Sequence, residues 1–455
     1  MSGMGAGRLA TSTAVVGMGC TGISVARFLM AKGLPCEAFD EAPLTLPEDM
    51  GIPLHIGTLD SALLQSFGRI VVSPGINWQH PALVRARAAG VAVYGDLQLF
   101  AEHFQGDMIA VTGTNGKTTT VSLIGTMLDI LPGGIKAAGN IGKPMLELIE
   151  DGEAPQRVVL ELSSFQLERA KPIHPCWAAL LNVQPDHADM HMDMQAYRAA
   201  KLRLFAHQGE GDKAMLPSGP EWDALAAKLR GRSVYVRRFG VGQAEVLDCG
   251  VKMLENGAWQ LFWHHDDMVC AIDASELRVR GRHQHLNLSV AAQAAADFGI
   301  SSSVIRQSLT SFRGLSHRLQ SLGMVQGRQW FNDSKATNPD AARAALQSFE
   351  QVIWVCGGLR KGLDISRLKD TVAEHVVLML VTGSDTRAFI KLAEVAGVSA
   401  RAVSSIEQAV ATAAAVQPGL PVLLSPAAAS QDEFRDYAER GHCFVDAVAA
   451  LEAEV

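Results

Sequence analysis

No Cys-x-x-Cys pair occurs anywhere in this chain. Its seven cysteines (Cys20, Cys36, Cys176, Cys249, Cys270, Cys356 and Cys443) are scattered and odd in number. That argues against a disulfide framework and for reduced thiols in a cytoplasmic protein. An excess of basic charge is missing too: 40 Lys and Arg stand against 47 Asp and Glu, a net charge of −7. Nucleic-acid-binding surfaces are as a rule basic, so no nucleic-acid partner is expected. No apolar run approaches the roughly 18 residues of a membrane helix, and Met1–Arg8 lacks the apolar core of a signal peptide. Internal repeats and low-complexity linkers are absent as well. What is there is 455 residues with 48% hydrophobic content and 42 glycines. That is enough for roughly two to four packed domains with many βα turns.

The most informative stretch is Met108-Ile-Ala-Val-Thr-Gly-Thr-Asn-Gly-Lys-Thr-Thr-Thr120. An apolar strand-like run ends in a turn bracketed by Gly113 and Gly116, where backbone N–H groups can face an anion. Lys117 supplies a point charge for β/γ-phosphates, Thr118 offers Mg²⁺ a hydroxyl, and the following helix directs its positive end at the site. Val111 stands where the common G-x-x-x-x-G-K-[ST] loop has its first glycine. The alternative, an ordinary strand–turn–helix corner with an exposed lysine, leaves the threonine run unexplained. ATP is the expected nucleotide.

Three segments alternate short β-runs with amphipathic helices, the pattern of parallel α/β sheets. The expected architecture is a Rossmann-like domain over 1–96, a P-loop-type ATPase domain over 97–313 and a Rossmann-like domain over 314–455. Strands are expected at Ala14–Gly17, Arg69–Gly75 and Val91–Gly95. The middle segment should add Met108–Thr112, Arg157–Leu162 and Ala178–Val183, with an antiparallel β excursion between about 231 and 280. The last should hold Val352–Cys356, Val376–Val381 and Val422–Ser425.

Four further constellations carry chemistry. Gly17-Met-Gly-Cys-Thr-Gly22, with Asp40 at the end of the next strand, fits a dinucleotide fingerprint. Read alone it says NAD, yet any diphosphate-linked nucleoside could use the same helix end, and a structural βα turn stays open. Glu161 ends an apolar strand, where a carboxylate can hold Mg²⁺ directly or through water. A helix N-cap region with Ser163 or Ser164 as the cap is the structural alternative and is compatible with the metal role, which is the favoured reading. Asn182-Val-Gln-Pro-Asp-His-Ala-Asp-Met-His-Met-Asp193 packs two histidines and three aspartates without zinc-motif spacing, so a second Mg²⁺ is the better reading, with His187 functional and His191 not. Lys201, on a predicted helix, reads by composition as a solvated surface lysine.

With these pieces in place the chain closely resembles the Mur ligases, ATP-dependent amide-bond formers of peptidoglycan synthesis. The resemblance spans essentially the whole chain. It rests on Gly113 through Thr119, Glu161-Leu-Ser-Ser-Phe-Gln-Leu-Glu168, Asn182 through His187, Tyr197 through Arg203, His317-Arg318 and Asn332-Asp-Ser-Lys-Ala-Thr-Asn338. The phrasing of the second and last of these is similar to that of the D-glutamate-adding branch, and the Asp-Asn-Pro-Arg signature of the diaminopimelate-adding one is missing.

The resemblance implies a role for each matched position. Gly113, Thr114, Asn115, Gly116, Lys117, Thr118 and Thr119 would hold the ATP phosphates, with Thr118 and Glu161 on a first Mg²⁺. Lys201 would be carbamylated and serve a second Mg²⁺ beside His187. Asn140 would meet the muramoyl substrate near the reacting centre, Asn287 the adenine, and His317, Arg318 and Asp333 the ATP. Gln284 falls where the family usually has asparagine. Gly19, Cys20, Thr21, Asp40 and Gly75 would hold UDP rather than NAD, although Glu41-Ala-Pro43 replaces the Thr-x-Arg-like run expected after Asp40. Lys335, Thr337, Lys361, Ser430 and Tyr437 would form the amino-acid pocket, cationic partners suiting the two carboxylates of glutamate. Ala428 and Tyr437 depart from the usual cysteine and phenylalanine.

The implied reaction joins D-glutamate to UDP-N-acetylmuramoyl-L-alanine through an acyl phosphate, in the cytoplasm, by a monomer whose last domain closes on the ligands. His187 is the candidate base. A same-fold ligase for L-glutamate or folate, an NAD-dependent oxidoreductase and a nucleotide-gated binding protein are the rivals. The folate enzyme would not need a UDP-binding first domain, and the oxidoreductase leaves Lys117, Glu161 and His187 idle. The binding protein predicts ATP binding without substrate-dependent ADP release.

Overall fold

The computed structural model describes residues 12–149, 154–185, 193–416 and 419–453. The chain falls into two compact units, one of 1–113, 120–182 and 194–239, the other of 114–119, 183–193 and 240–455.

The first unit opens with strands β1 (Thr13–Val16), β2 (Cys36–Asp40), β3 (Leu54–Ile56), β4 (Arg69–Val72) and β5 (Ala92–Tyr94), and helix α1 (Cys20–Ala31) follows β1. All pairings are parallel, in the order β3-β2-β1-β4-β5. Ala14, Val16, Ile70 and Val72 alternate into one core cluster with Phe39, Leu64 and Phe67. The strand order reverses between β1 and β4, so the loops after these two strands diverge and leave a crevice at the carboxyl edge.

A second set of parallel strands follows: β6 (Asp107–Thr112), β7 (Lys136–Gly139), β8 (Arg157–Glu161), β9 (Trp177–Leu180), β10 (Lys213–Pro217) and β11 (Tyr235–Val241). β6 lies between β8 and β9, the second point at which strand order reverses. Helix α2 (Lys117–Leu128) leaves it through the glycine-bracketed loop. Tyr235–Phe239 pairs parallel to Lys213–Pro217. The antiparallel expectation from residue 231 is therefore corrected here: the intervening helix Asp223–Arg230 returns the chain as a βα-β crossover. Alternating apolar and polar residues do not report the direction in which a strand's neighbour runs.

In the second unit, β12 (Cys249–Met253), β13 (Trp259–His265) and β14 (Met268–Asp273) form the expected antiparallel excursion. A last sheet holds β15 (Gln320–Val325), β16 (Arg328–Asn332), β17 (Val352–Gly357), β18 (Val376–Thr382), β19 (Ser399–Ala402) and β20 (Val422–Leu424), in the order β15-β16-β20-β17-β18-β19. Only β15–β16 is antiparallel. Gln326 (φ 48°) and Gly327 (φ 74°) turn it, the positive-φ pair that a two-residue hairpin requires. Trp354 and Cys356 face one core while Ile353 and Val355 face the other, so both sides of the sheet are covered. That explains the unbroken apolar run Val352–Cys356. Among the described residues no helix is long and apolar enough to cross a membrane.

Candidate active site

The first loop is set by glycine and by Asp40. Gly17 takes φ 89°, and a Cβ at Gly22 would overlap the Gly17 carbonyl, so helix α1 packs directly on the turn. Asp40 accepts from the N–H of Met18 (2.7 Å) and of Ala42 (2.9 Å). Its carboxylate thus braces the loop that carries Gly19, Cys20 and Thr21. Gly19 and Cys20 are exposed at the mouth. The Ser73 hydroxyl donates to the Gly17 carbonyl (2.6 Å), joining this loop to the one bearing exposed Gly75.

The phosphate loop is held by residues far away in sequence. Thr114 Oγ1 donates to the Gln184 carbonyl (3.2 Å) and accepts from its N–H (3.0 Å), and Asn115 Nδ2 donates to Gln184 Oε1 (3.0 Å). Asn338 Nδ2 donates to Asn115 Oδ1 (3.4 Å) while Asn338 Oδ1 caps the helix Pro339–Leu346. The Lys117 ammonium donates to the Thr114 carbonyl at 2.9 Å. Arg318 donates to the Thr118 hydroxyl, which places a second cation on the loop. Gly116 has φ 87°, and a Cβ there would overlap the amide of Asn287. Thr119 is buried beneath the loop. Asn287 lies on helix α3 (Arg282–Asp297). Near the start of that helix, a cavity of about 260 Å³ is lined by Trp259, Gly281, Arg282, His283, Ala344 and Ser348. Burial pulls His283 down to about 4, so it is neutral at pH 7.

In the first unit Glu161 is buried and accepts from Asn140 Nδ2 at 3.1 Å, while the Asn140 N–H donates to the Glu161 carbonyl at 2.8 Å. The N-cap reading of this segment holds, at Ser163. Ser163 and Gln166 form a capping box on helix Ser164–Glu168, directly after the carboxylate. Replacing Ser163 by alanine should lower stability by about 1 kcal/mol, read as a shift in urea midpoint.

Lys201 is not the solvated lysine its composition suggests: it is 1% exposed. Its ammonium donates to the Gly113 carbonyl (2.9 Å) and lies 4.4 Å from the Tyr197 ring centroid. Composition hid this, because Lys201 shares the buried face of the helix Met194–Leu202 with Tyr197 and Ala200. No finding supports a carbamate at this position. His187 lies outside the described residues.

The last sheet gathers the remaining candidates. Asp333 is buried and takes bonds from the Leu319 N–H (3.0 Å) and the Ser425 hydroxyl (2.9 Å). Burial raises its carboxyl to about 7, against the lowering effect of those bonds and of Arg318. His317, at φ 62°, is pinned between Asn332 Nδ2 (2.9 Å) and Gly441, with burial depressing its pKa. Lys335 Nζ lies 3.6 Å from the Tyr437 ring centroid. The Thr337 N–H donates to the Lys335 carbonyl (2.9 Å), and exposed Lys361 has φ 49°. Ser430 is 1% exposed and its hydroxyl has no hydrogen-bond partner among the described residues.

Sequence reasoning missed two residues here. Arg440 is buried, with its guanidinium on the carbonyls of Ser334 and Ala428, and burial lowers it to about 10. Arg169, immediately after the Glu161–Glu168 motif, grips the Gly75 loop. A lone buried arginine leaves no periodic signal in one sequence. Among the described residues no cluster of three or more His, Cys, Asp or Glu side chains could hold a metal.

Comparison with known proteins joins these parts. Three family models match in chain order: "Mur ligase MurD-like, N-terminal domain" over 11–95, "Mur ligase middle domain" over 111–295 and "Mur ligase, glutamate ligase domain" over 317–428. A UDP-N-acetylmuramoylalanine–D-glutamate ligase of Methylococcus capsulatus is 36% identical, covering 96% of this chain and 94% of that protein. One from Marinobacter nauticus is 35% identical over 96% and 98%. Among solved structures, the MurF ligase of Thermotoga maritima in complex with ADP superposes with a TM-score of 0.61, at 17% identity over 98% of this chain and 99% of that one, a likeness of fold. Full-length identity above a third, carried through all three matched segments, means that this chain belongs to the Mur ligase family.

Proposed function

We propose that this protein adds D-glutamate to UDP-N-acetylmuramoyl-L-alanine, using ATP, in the making of peptidoglycan precursors. The observation that carries the reading is the Thr114–Thr119 loop with Lys117 inside it, Asn287 against Gly116 and Arg318 on Thr118. The choice of substrates is supported by the names of relatives alike over the whole chain. Labour divides among 1–96 for the UDP moiety, 97–313 for ATP and 314–455 for the amino acid. The enzyme acts in the cytoplasm as a monomer.

The alanyl carboxylate attacks the γ-phosphorus of ATP, giving an acyl phosphate and ADP. The glutamate amine then adds to the acyl carbon, and phosphate leaves from the tetrahedral intermediate. Two anions must meet in the first step, so cations decide its rate. Lys117 and Arg318 are two cations of this chain at the phosphate loop. The Thr118 hydroxyl and the Glu161 carboxylate are each a hard oxygen donor of the kind Mg²⁺ takes. Bound Mg²⁺ would neutralise charge on the triphosphate. Asn140 orients the acyl group, and the hydrogen bond to Glu161 fixes its amide. His187 is the candidate to accept the amine proton. Gly19, Cys20, Thr21, Asp40 and Gly75 hold the UDP. Asn115 and Thr119 support the phosphates, with His317 and Asp333 behind Arg318. Lys335, Thr337, Lys361, Ser430 and Tyr437 receive glutamate, and the orphan Ser430 hydroxyl is a buried polar group suited to a ligand carboxylate.

Phosphate release from ATP and UDP-N-acetylmuramoyl-L-alanine should require D-glutamate and be absent without an amino acid. Release with L-glutamate alone would keep the reaction type and change the substrate. No release with either would overturn the reading.

A further inference from the structure

The loop after β4, Ser73–Trp78, is held by guanidinium groups rather than by a ladder or a helix. Arg169 Nη1 donates to the carbonyls of Ser73 (2.8 Å) and Pro74 (2.9 Å), and Nη2 to that of Ile76 (2.7 Å). Three carbonyls around Gly75 thus converge on one buried cation. Arg87 takes the end of the same loop, donating to the Trp78 carbonyl (2.8 Å) and lying 4.4 Å from that ring's centroid. Arg169 lies 5.4 Å from the ring centroid as well. Burial lowers Arg169 to about 10, offset in part by Glu168 and then Asp96, so it remains charged at pH 7.

The other end of Arg169 belongs to the Glu161 segment. It caps helix Ser164–Glu168, whose first turn is the Ser163–Gln166 box. Its carbonyl accepts from the Gly95 N–H at 2.8 Å. Asp96 is wholly buried, raised by burial to about 6, and bonded to the Gln166 side chain. Hydrogen bonds therefore run from the Gly17 carbonyl through Ser73 to Arg169, which ends the short helix whose Ser163–Gln166 box directly follows the strand end where Glu161 meets Asn140.

We infer that Arg169 is a positioning residue for the diphosphate-nucleoside substrate: it presents the Gly75 loop in its binding shape and fixes that loop to the segment that follows Glu161, the carboxylate Asn140 meets. This rests on the assignment of UDP to the first sheet. Lysine cannot replace it. An ammonium is a point donor, whereas the planar fork spans three carbonyls at once. Removing the fork takes the side-chain donor from the Pro74 and Ile76 carbonyls and leaves the Ser73 carbonyl with the Ile76 N–H alone, so the loop relaxes.

Calorimetric titration with UDP and, separately, with ADP tests this in the full chain. Wild type should bind both. Arg169→Lys should weaken UDP by about 10²-fold, the scale of an ångström-sized misplacement, with ADP affinity unchanged. Millimolar guanidinium should restore part of the UDP affinity of Arg169→Ala. Equal UDP affinity in Arg169→Lys, or parallel loss of UDP and ADP, would overturn the proposal. Should Arg169→Ala fail to fold, Arg169→Lys, which keeps stem and charge, decides alone. Failure of wild type to bind UDP would instead remove the substrate assignment, and this inference with it.

Discussion

Lys117→Ala should abolish phosphate release while leaving the fold intact. The side chain is half-buried at the protein surface and its ammonium donates to the Thr114 carbonyl within its own loop, so the fold is expected to survive its loss. On the proposed function, its charge offsets that of the phosphoryl group as it passes between two oxygens. Removing one preorganised electrostatic contact of this kind costs about 10²–10³-fold in turnover, and a full positive charge at a triphosphate belongs at the upper end. Steady-state phosphate release with D-glutamate, paired with a thermal melt, separates the two effects. Turnover within tenfold of wild type, or a melt lost together with activity, would each defeat the assignment of the loop.

Asp333→Asn should stabilise the protein at alkaline pH and leave it unchanged at acid pH. Burial raises the carboxyl from 3.8 to about 7, so the folded chain keeps a proton that the unfolded chain gives up. Stability from this group is complete below the unfolded value and is lost as pH rises through the folded one, at about 1.4 kcal/mol per pH unit. Asparagine is neutral throughout, can still accept from the Leu319 N–H and can donate to the Ser425 oxygen. Urea unfolding at a series of pH values should show the two proteins converging near pH 4 and diverging by a few kcal/mol by pH 8. Parallel curves would mean that Asp333 titrates normally. The stability readout is independent of any contact Asp333 makes with ATP.

These two residues differ in how visible they are beforehand. Lys117 sits in a local arrangement of strand, glycine turn and helix that generates its chemistry from neighbours in the chain, and the structure returns that arrangement unchanged. The same holds for Gly17–Gly22, for Glu161 at a strand end and for the apolar runs of the last sheet, where hydrophobic periodicity alone dictates burial. Asp333 was visible only as a member of a motif. Its elevated pKa comes from Leu319, Ser425 and the depth of the sheet, which no local pattern encodes. Tyr235–Val241 was read with the wrong partner direction because alternation reports which side of a strand is wet and not which way its neighbour runs.

By itself the sequence determined the elements and the local chemistry of their ends: which runs form strands, where backbone must turn through glycine, and which lysine and carboxylate stand at those turns. Such features depend on contacts within a few residues. Only the tertiary structure decided which distant side chains complete them. Asn287 on Gly116, Arg318 on Thr118, Lys201 beneath Gly113 and Arg169 around Gly75 are pairings across tens to hundreds of positions. Each is set by strand order and helix packing, and a buried polar group must find its partner wherever the fold places one.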